Sequence, residues 1–237
     1  MVHLKGINLS LENCPTGEYY PFNLRIFQEE CRLEFISPVT FFTGENGTGK
    51  SSLLQAMAEK CRIHIWEGIE TTRFESNPYE GMLHKFVSVY WSNGSVPGSY
   101  FDSEISKNFA QYLDEWAASD PGILEYFGGK SLMTQSHGQS LMSFFKARYR
   151  FKGIYFLDEP ETALSPKSQL ELLQVLKQNS EAGHAQFIIA THSPILMACP
   201  GATIYSFDEI PVSQIDYEKT EHFRIYRDFM VNRSKYL

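Results

Sequence analysis

Residues 39–61, VTFFTGENGTGKSSLLQAMAEKC, pass from an apolar run through a glycine-rich loop into a helical run. That order opens a strand–loop–helix unit, and the loop Gly44-Glu45-Asn46-Gly47-Thr48-Gly49-Lys50-Ser51, followed by Ser52, satisfies GxxxxGK[ST]. The chemistry explains the spacing. Glycines let successive backbone N–H groups curl around phosphate oxygens, and the following helix adds the partial positive charge of its N-terminus. Lys50 is then placed for the β- and γ-phosphates of ATP, and the Ser51 hydroxyl for Mg²⁺. The stretch therefore predicts a nucleotide site at the start of an α/β domain.

Two later strand ends supply the matching acids and base. Ile154-Tyr155-Phe156-Leu157-Asp158-Glu159 is an apolar run closed by two carboxylates, the way a Walker B segment carries an Asp to the metal shell. Asp158 is expected to bind Mg²⁺ through a water. A second carboxylate is superfluous for the metal, so Glu159 is the candidate general base for the attacking water. His192 follows the apolar run QFIIA in Thr191-His192-Ser193-Pro194, at the C-terminal strand edge where open α/β sheets bind ligands. Lys50, Glu159 and His192 are thus the candidate catalytic residues, His192 as a contact to the γ-phosphate and the attacking water.

Working outward, the 237 residues suit a single domain with one substantial core. Hydrophobic residues are 43% and charged residues 21%, an ordinary globular composition. The first residues lack the pattern of a signal peptide, and no apolar run approaches the length of a membrane span. Cys14, Cys31, Cys61 and Cys199 form no CxxC pair, so reduced thiols in a cytoplasmic protein are expected rather than disulfides or zinc. A formal charge of -7 argues against a surface built wholly for nucleic acid.

Residues 1–38 carry β-type runs at Leu4–Leu11, Phe22–Phe27 and Cys31–Ile36, expected to form an antiparallel β part. A further strand-like run spans Lys85–Trp91 within an otherwise mixed region. Ser103 then caps a predicted helix whose stripe, Ile105, Phe109, Tyr112, Leu113 and Trp116, belongs to a helical lobe over about residues 100–150. Beyond it, strand Gly153–Leu157, helix Pro166–Gln178, strand Gln186–Ala190 and strand Ala202–Phe207 predict a mostly parallel sheet with helical crossovers.

Taken together, GENGTGKS, Ser136-His137-Gly138-Gln139-Ser140, IYFLDEPE and ATHSP stand in the order and spacing of ABC-type ATPases. The chain resembles that family from about residue 2 to its end. It is most similar to small stand-alone bacterial ATPases with an SHGQS-like signature, a DEPE…ALSP segment and a C-terminal run like TEHFRIYRDF, and more distantly to RecF and SMC heads. The resemblance implies an ATP-dependent homodimer in which two heads sandwich two nucleotides. Ser136, Gly138 and Gln139 would reach the γ-phosphate on the opposite chain, although Gln135 and His137 depart from the usual LSGGQ. It also implies a glutamine ahead of the signature that helps hold Mg²⁺. None lies there, and Glu104 is the substitute candidate. An adenine-stacking aromatic before the phosphate loop would be Tyr20 or Phe22.

Between Lys50 and Ser136 there is room for a helical lobe but not for long coiled-coil arms. The expected function is Mg²⁺-dependent ATP binding and hydrolysis driving an unidentified protein partner. A transporter's nucleotide-binding subunit is one alternative. A RecF- or SMC-like nucleic-acid-associated ATPase is another, for which Lys146, Arg148, Arg150 and Lys152, interleaved with Tyr149 and Phe151, are the candidate contacts.

Overall fold

A computed structural model describes residues 1–10, 14–65, 77–102, 117, 122 and 137–237. Two sheets share one helix. The larger has six strands in the order β5-β6-β7-β3-β8-β9, namely Gly98–Asp102, Gly153–Asp158, Ala185–Ala190, Val39–Thr43, Thr203–Ser206 and Ser213–Gln214. All neighbours are parallel except the short β9, which returns antiparallel to β8. The smaller sheet is antiparallel, with β1 (Leu4–Leu9) between β2 (Cys31–Glu34) and β4 (Val87–Trp91).

The three inner strands β6, β7 and β3 are buried along their whole length and mostly apolar because both faces of their sheet are covered. Successive residues turn to opposite faces. Phe42, Phe156 and Ile188 join one core with α1 (Lys50–Lys60) and the small sheet. Phe41, Tyr155, Leu157, Phe187 and Ile189 join the other. There they meet α2 (His137–Arg148), α3 (Pro166–Glu181) and the single turn α4 (Pro194–Met197). Leu53, Leu54 and Met57 of α1 are fully buried between the two sheets, each stabilising by about 1.5–3 kcal/mol relative to exposure.

One amide joins the sheets. Gln186, fully buried in β7, accepts from the His3 and Leu4 backbone N–H groups at 2.8 Å each and donates to the Leu4 carbonyl at 3.0 Å.

The strands expected at Leu4, Cys31, Val39, Gly153, Gln186 and Ala202 are present with ends moved by one or two residues. The strand expected at Phe22–Phe27 is not. Its buried residues, Phe22, Ile26 and Phe27, are spaced by four and one rather than two, and the segment closes in turns ending with a 3₁₀ turn at Arg25–Phe27. The run from Lys85 divides into the end of a 3₁₀ turn, Leu83–Phe86, and strand β4, which completes the antiparallel sheet from far along the chain. The predicted helix from Ser103, with Glu104, lies outside the described residues, as does Ser136.

Candidate functional site

The phosphate loop leaves the end of β3, the central strand, and enters α1. Gly47 and Gly49 have φ of +78° and +99°, a region side-chain-bearing residues rarely adopt. At Gly49 a Cβ would also come within 2.7 Å of Ile26, so the 3₁₀ segment misread as a strand packs beneath the loop. The buried Lys50 arches over it, Nζ donating to the Gly44 and Glu45 carbonyls at 2.7 and 2.8 Å. Burial lowers its pKa, against the opposing charges of Glu159, Asp208, Asp158 and Glu45. Thr48 Oγ1 donates to the Glu45 carbonyl at 2.8 Å, while Glu45 and Asn46 face solvent. The start of the loop is held by Asp208, whose Oδ1 accepts from the Glu45 N–H at 2.7 Å. Sequence reasoning missed Asp208, although its position just past the end of an apolar strand was a signal.

Asp158 ends β6 two strands away. Its Oδ1 accepts from the Ser51 hydroxyl at 2.9 Å, joining the two expected metal-shell residues, and its Oδ2 accepts from the Tyr100 hydroxyl at 3.2 Å. Burial raises its pKa to about 6; the Ser51 hydrogen bond opposes this, and the nearby Asp102 and Glu159 charges add to it. Tyr100 and Asp102 lie on β5, an edge strand that pairs in register with β6 so that Asp102 is opposite Asp158. Short and polar, β5 left no periodic trace in the sequence.

This burial has a sign that can be tested. With the folded pKa above the unfolded one, the folded chain binds more protons between about pH 4 and 6, so ionising Asp158 costs stability as pH rises through that window. The Asp158→Asn chain is therefore expected to gain on the parent, by on the order of 3 kcal/mol at pH 7 without divalent ions. Thermal unfolding of both chains from pH 4 to 8 checks it, and parallel curves would refute it.

Glu159 follows at φ +41°, ψ +54°, left-handed backbone that turns its side chain toward β7. Oε1 stands 3.4 Å from His192 Nε2, and that contact, with the charge of Lys50, holds the carboxylate below its ordinary pKa. Among the described residues His192 Nε2 is buried without a well-formed hydrogen bond, its contact being the Glu159 carboxylate. The backbone N–H of His192 donates to Glu161 Oε1 at 2.6 Å, and its Nδ1 meets His222 Nε2 at 2.8 Å. His222 lies in the first turn of α5 (Glu221–Val231), thirty residues downstream, and escaped sequence reasoning.

The geometry matches known folds. The SMC head domain from Thermotoga maritima superposes with a TM-score of 0.51 at 17% identity, over 91% of this chain and all of that one. An SMC head solved with the C-terminal winged-helix domain of ScpA gives 0.54 at 12% identity, covering 92% and 99%. The ATP-binding subunit of an ABC transporter gives 0.50 at 14%, covering 97% and 93%. The chain has the fold of an ABC-type ATPase head. Two family models match parts of this head: "AAA domain" over residues 22–58, and "AAA domain, putative AbiEii toxin, Type IV TA system" over 139–198. No curated protein matches it in sequence.

Other expected residues of the head take definite places. Gly138 and Gln139 form the first turn of α2, where a Cβ on Gly138 would stand 3.4 Å from the Ala163 carbonyl. Phe22 is buried and has no face for a base, whereas Tyr20 is exposed and its hydroxyl is 2.8 Å from Ser52 Oγ. In the basic run, Lys146 pairs with Glu171, Arg148 donates to the Gly98 carbonyl, and Tyr149 is buried. Among the described residues no helix is long and apolar enough to cross a membrane. Among them, too, no three His, Cys, Asp or Glu side chains gather as a metal cage. A Mg²⁺ site of the phosphate-loop kind needs none, since nucleotide oxygens and waters supply most of its ligands.

Proposed function

We propose that this head binds ATP with Mg²⁺ and hydrolyses it, closing as an ATP-sandwiched homodimer that drives a protein partner. The observation that carries the reading is the 2.9 Å contact between Ser51 and Asp158, with Glu159 and His192 facing each other at the same strand edge. A hydroxyl and a carboxylate from separate strands, drawn together beside a glycine cradle and a buried lysine, fit a Mg²⁺–triphosphate.

In this reading the loop N–H groups and Lys50 hold the β- and γ-phosphates, and Tyr20 covers the adenine. Ser51, and Asp158 through a water, would hold the metal. When bound, Mg²⁺ would supply charge neutralisation to the triphosphate. Glu159, kept ionised by its contact with His192 and the charge of Lys50, accepts the proton of the attacking water. His192 presents Nε2 to the γ-phosphate. Ser136, Gly138 and Gln139 act on the nucleotide of the opposite chain.

Phosphate release by the purified chain tests the reading. Turnover is expected with Mg²⁺ and ATP and is expected to vanish when EDTA removes the metal. A chain that neither releases phosphate nor takes up nucleotide in calorimetry would overturn it.

A further inference from the structure

The hydrogen-bonded pair behind the strand edge extends the site beyond its expected members. His222 Nδ1 stands 3.3 Å from Thr43 Oγ1, on the last residue of β3, and His222 Nε2 stands 2.8 Å from His192 Nδ1. A chain of four groups thus runs from Thr43 through His222 and His192 to Glu159, crossing from the strand that launches the phosphate loop to the strand that ends in the acids.

Proton counting along this chain leaves few arrangements. Burial lowers the His222 pKa, as does the neighbouring His192; Glu45 and Asp208 oppose the shift, and Lys50 reinforces it. A neutral His222 has one N–H and one bare nitrogen. In one order the Thr43 hydroxyl donates to His222 Nδ1, and His222 Nε2–H donates to His192 Nδ1. A neutral His192 then carries its proton on Nε2, facing Glu159. In the reverse order His222 donates to Thr43 and accepts from His192 Nδ1–H. A neutral His192 would then turn a bare lone pair on the Glu159 carboxylate, so this order holds only if His192 is charged, again with a proton on Nε2. Every arrangement compatible with an ionised Glu159 gives the same result.

We propose that His222 is a positioning residue for His192, fixing that ring so that its Nε2–H points to Glu159 and the γ-phosphate. The proposal rests on the hydrolytic reading above, and it assigns a task to His222 of the TEHFRIYRDF segment. The Thr220 hydroxyl accepts from the Phe223 N–H as the N-cap of α5, so the turn carrying His222 is itself anchored. The mechanism is that of an oriented imidazole: the remote partner chooses tautomer and rotamer while the near nitrogen does the chemistry.

Three variants separate positioning from packing. His222→Phe keeps an aromatic ring without a donor, His222→Ala keeps neither, and His222→Gln restores a side-chain N–H near the position of Nε2. The Phe and Ala chains are expected to lose roughly ten- to a hundredfold in kcat with KM for ATP nearly unchanged, and the Gln chain to recover most of it. A packing role predicts the opposite order, with Phe active and Gln as poor as Ala, and would overturn the proposal. So would parental kcat in all three, or a loss confined to KM. ¹⁵N-resolved imidazole spectra supply a readout independent of turnover. His192 is expected to be protonated on Nε2 in the parent and to lose that preference in His222→Ala. An unchanged His192 tautomer in His222→Ala refutes the positioning role even if the ATPase assay is silent, whereas a silent assay with the expected spectra refutes only the hydrolytic reading.

Discussion

The Glu159→Gln head is expected to bind ATP as the parent does and to turn it over at least about a hundredfold more slowly. The substitution preserves length and shape, and an amide can keep the 3.4 Å contact to His192. What it removes is the basic oxygen. Because Glu159 is held in the ionised form by His192 and Lys50, the parent has a carboxylate ready at neutral pH, and the variant has no acceptor for the proton of water. Bound ATP should then persist, and since nucleotide binding and dimerisation are linked, excess Mg-ATP should shift this variant from monomer to dimer in light scattering. Adding Ser136→Arg should abolish the shift by obstructing the contact proposed across the dimer. Parental turnover in Glu159→Gln would remove Glu159 as the base, and a variant that stays monomeric in saturating Mg-ATP would remove the sandwich for this chain.

Lys50→Ala is expected to weaken ATP binding at least tenfold, about 1.4 kcal/mol or more, as measured by calorimetry. Two effects add. The cation that meets the β- and γ-phosphates is lost, and so are its donations to the Gly44 and Glu45 carbonyls, which tie the loop's own backbone to the helix. A matched melting temperature would show that the fold survives, since desolvation already costs the buried ammonium part of what its contacts return. An unchanged dissociation constant would mean that nucleotide binds elsewhere.

What the sequence disclosed follows a physical division. The β3–loop–α1 unit, the strand ending in Asp158 and Glu159, and the strand before His192 were legible because each is a contiguous apolar run whose ending carries the chemistry. The residues that brace them were not. Tyr100 and Asp102 sit on an edge strand of mixed polarity, Asp208 answers Glu45 from 163 residues away, and His222 meets His192 only because α5 folds back. These are non-local pairings, and no local period announces them. The Phe22–Phe27 stretch misled for the converse reason. Its aromatic and β-branched residues have strand character, yet among the described residues no strand pairs with them, and they floor the phosphate loop at Gly49.

The Gln186 amide that binds the His3 and Leu4 backbone has a consequence for how the molecule is made. Its partners lie 183 and 182 residues before it in the chain. At ribosomal rates of about 5–20 residues per second, β1 is synthesised roughly 10 to 40 seconds before its amide partner. During that interval β1 has neither its anchor nor, until residues 87–91 emerge, its second neighbour. An alternating strand with open edges is a template for other chains, so the growing polypeptide is aggregation-prone while β1 waits for these partners. Slower growth temperature or a chaperone supplied during synthesis should therefore raise the yield of folded head more than any change of refolding buffer applied afterwards.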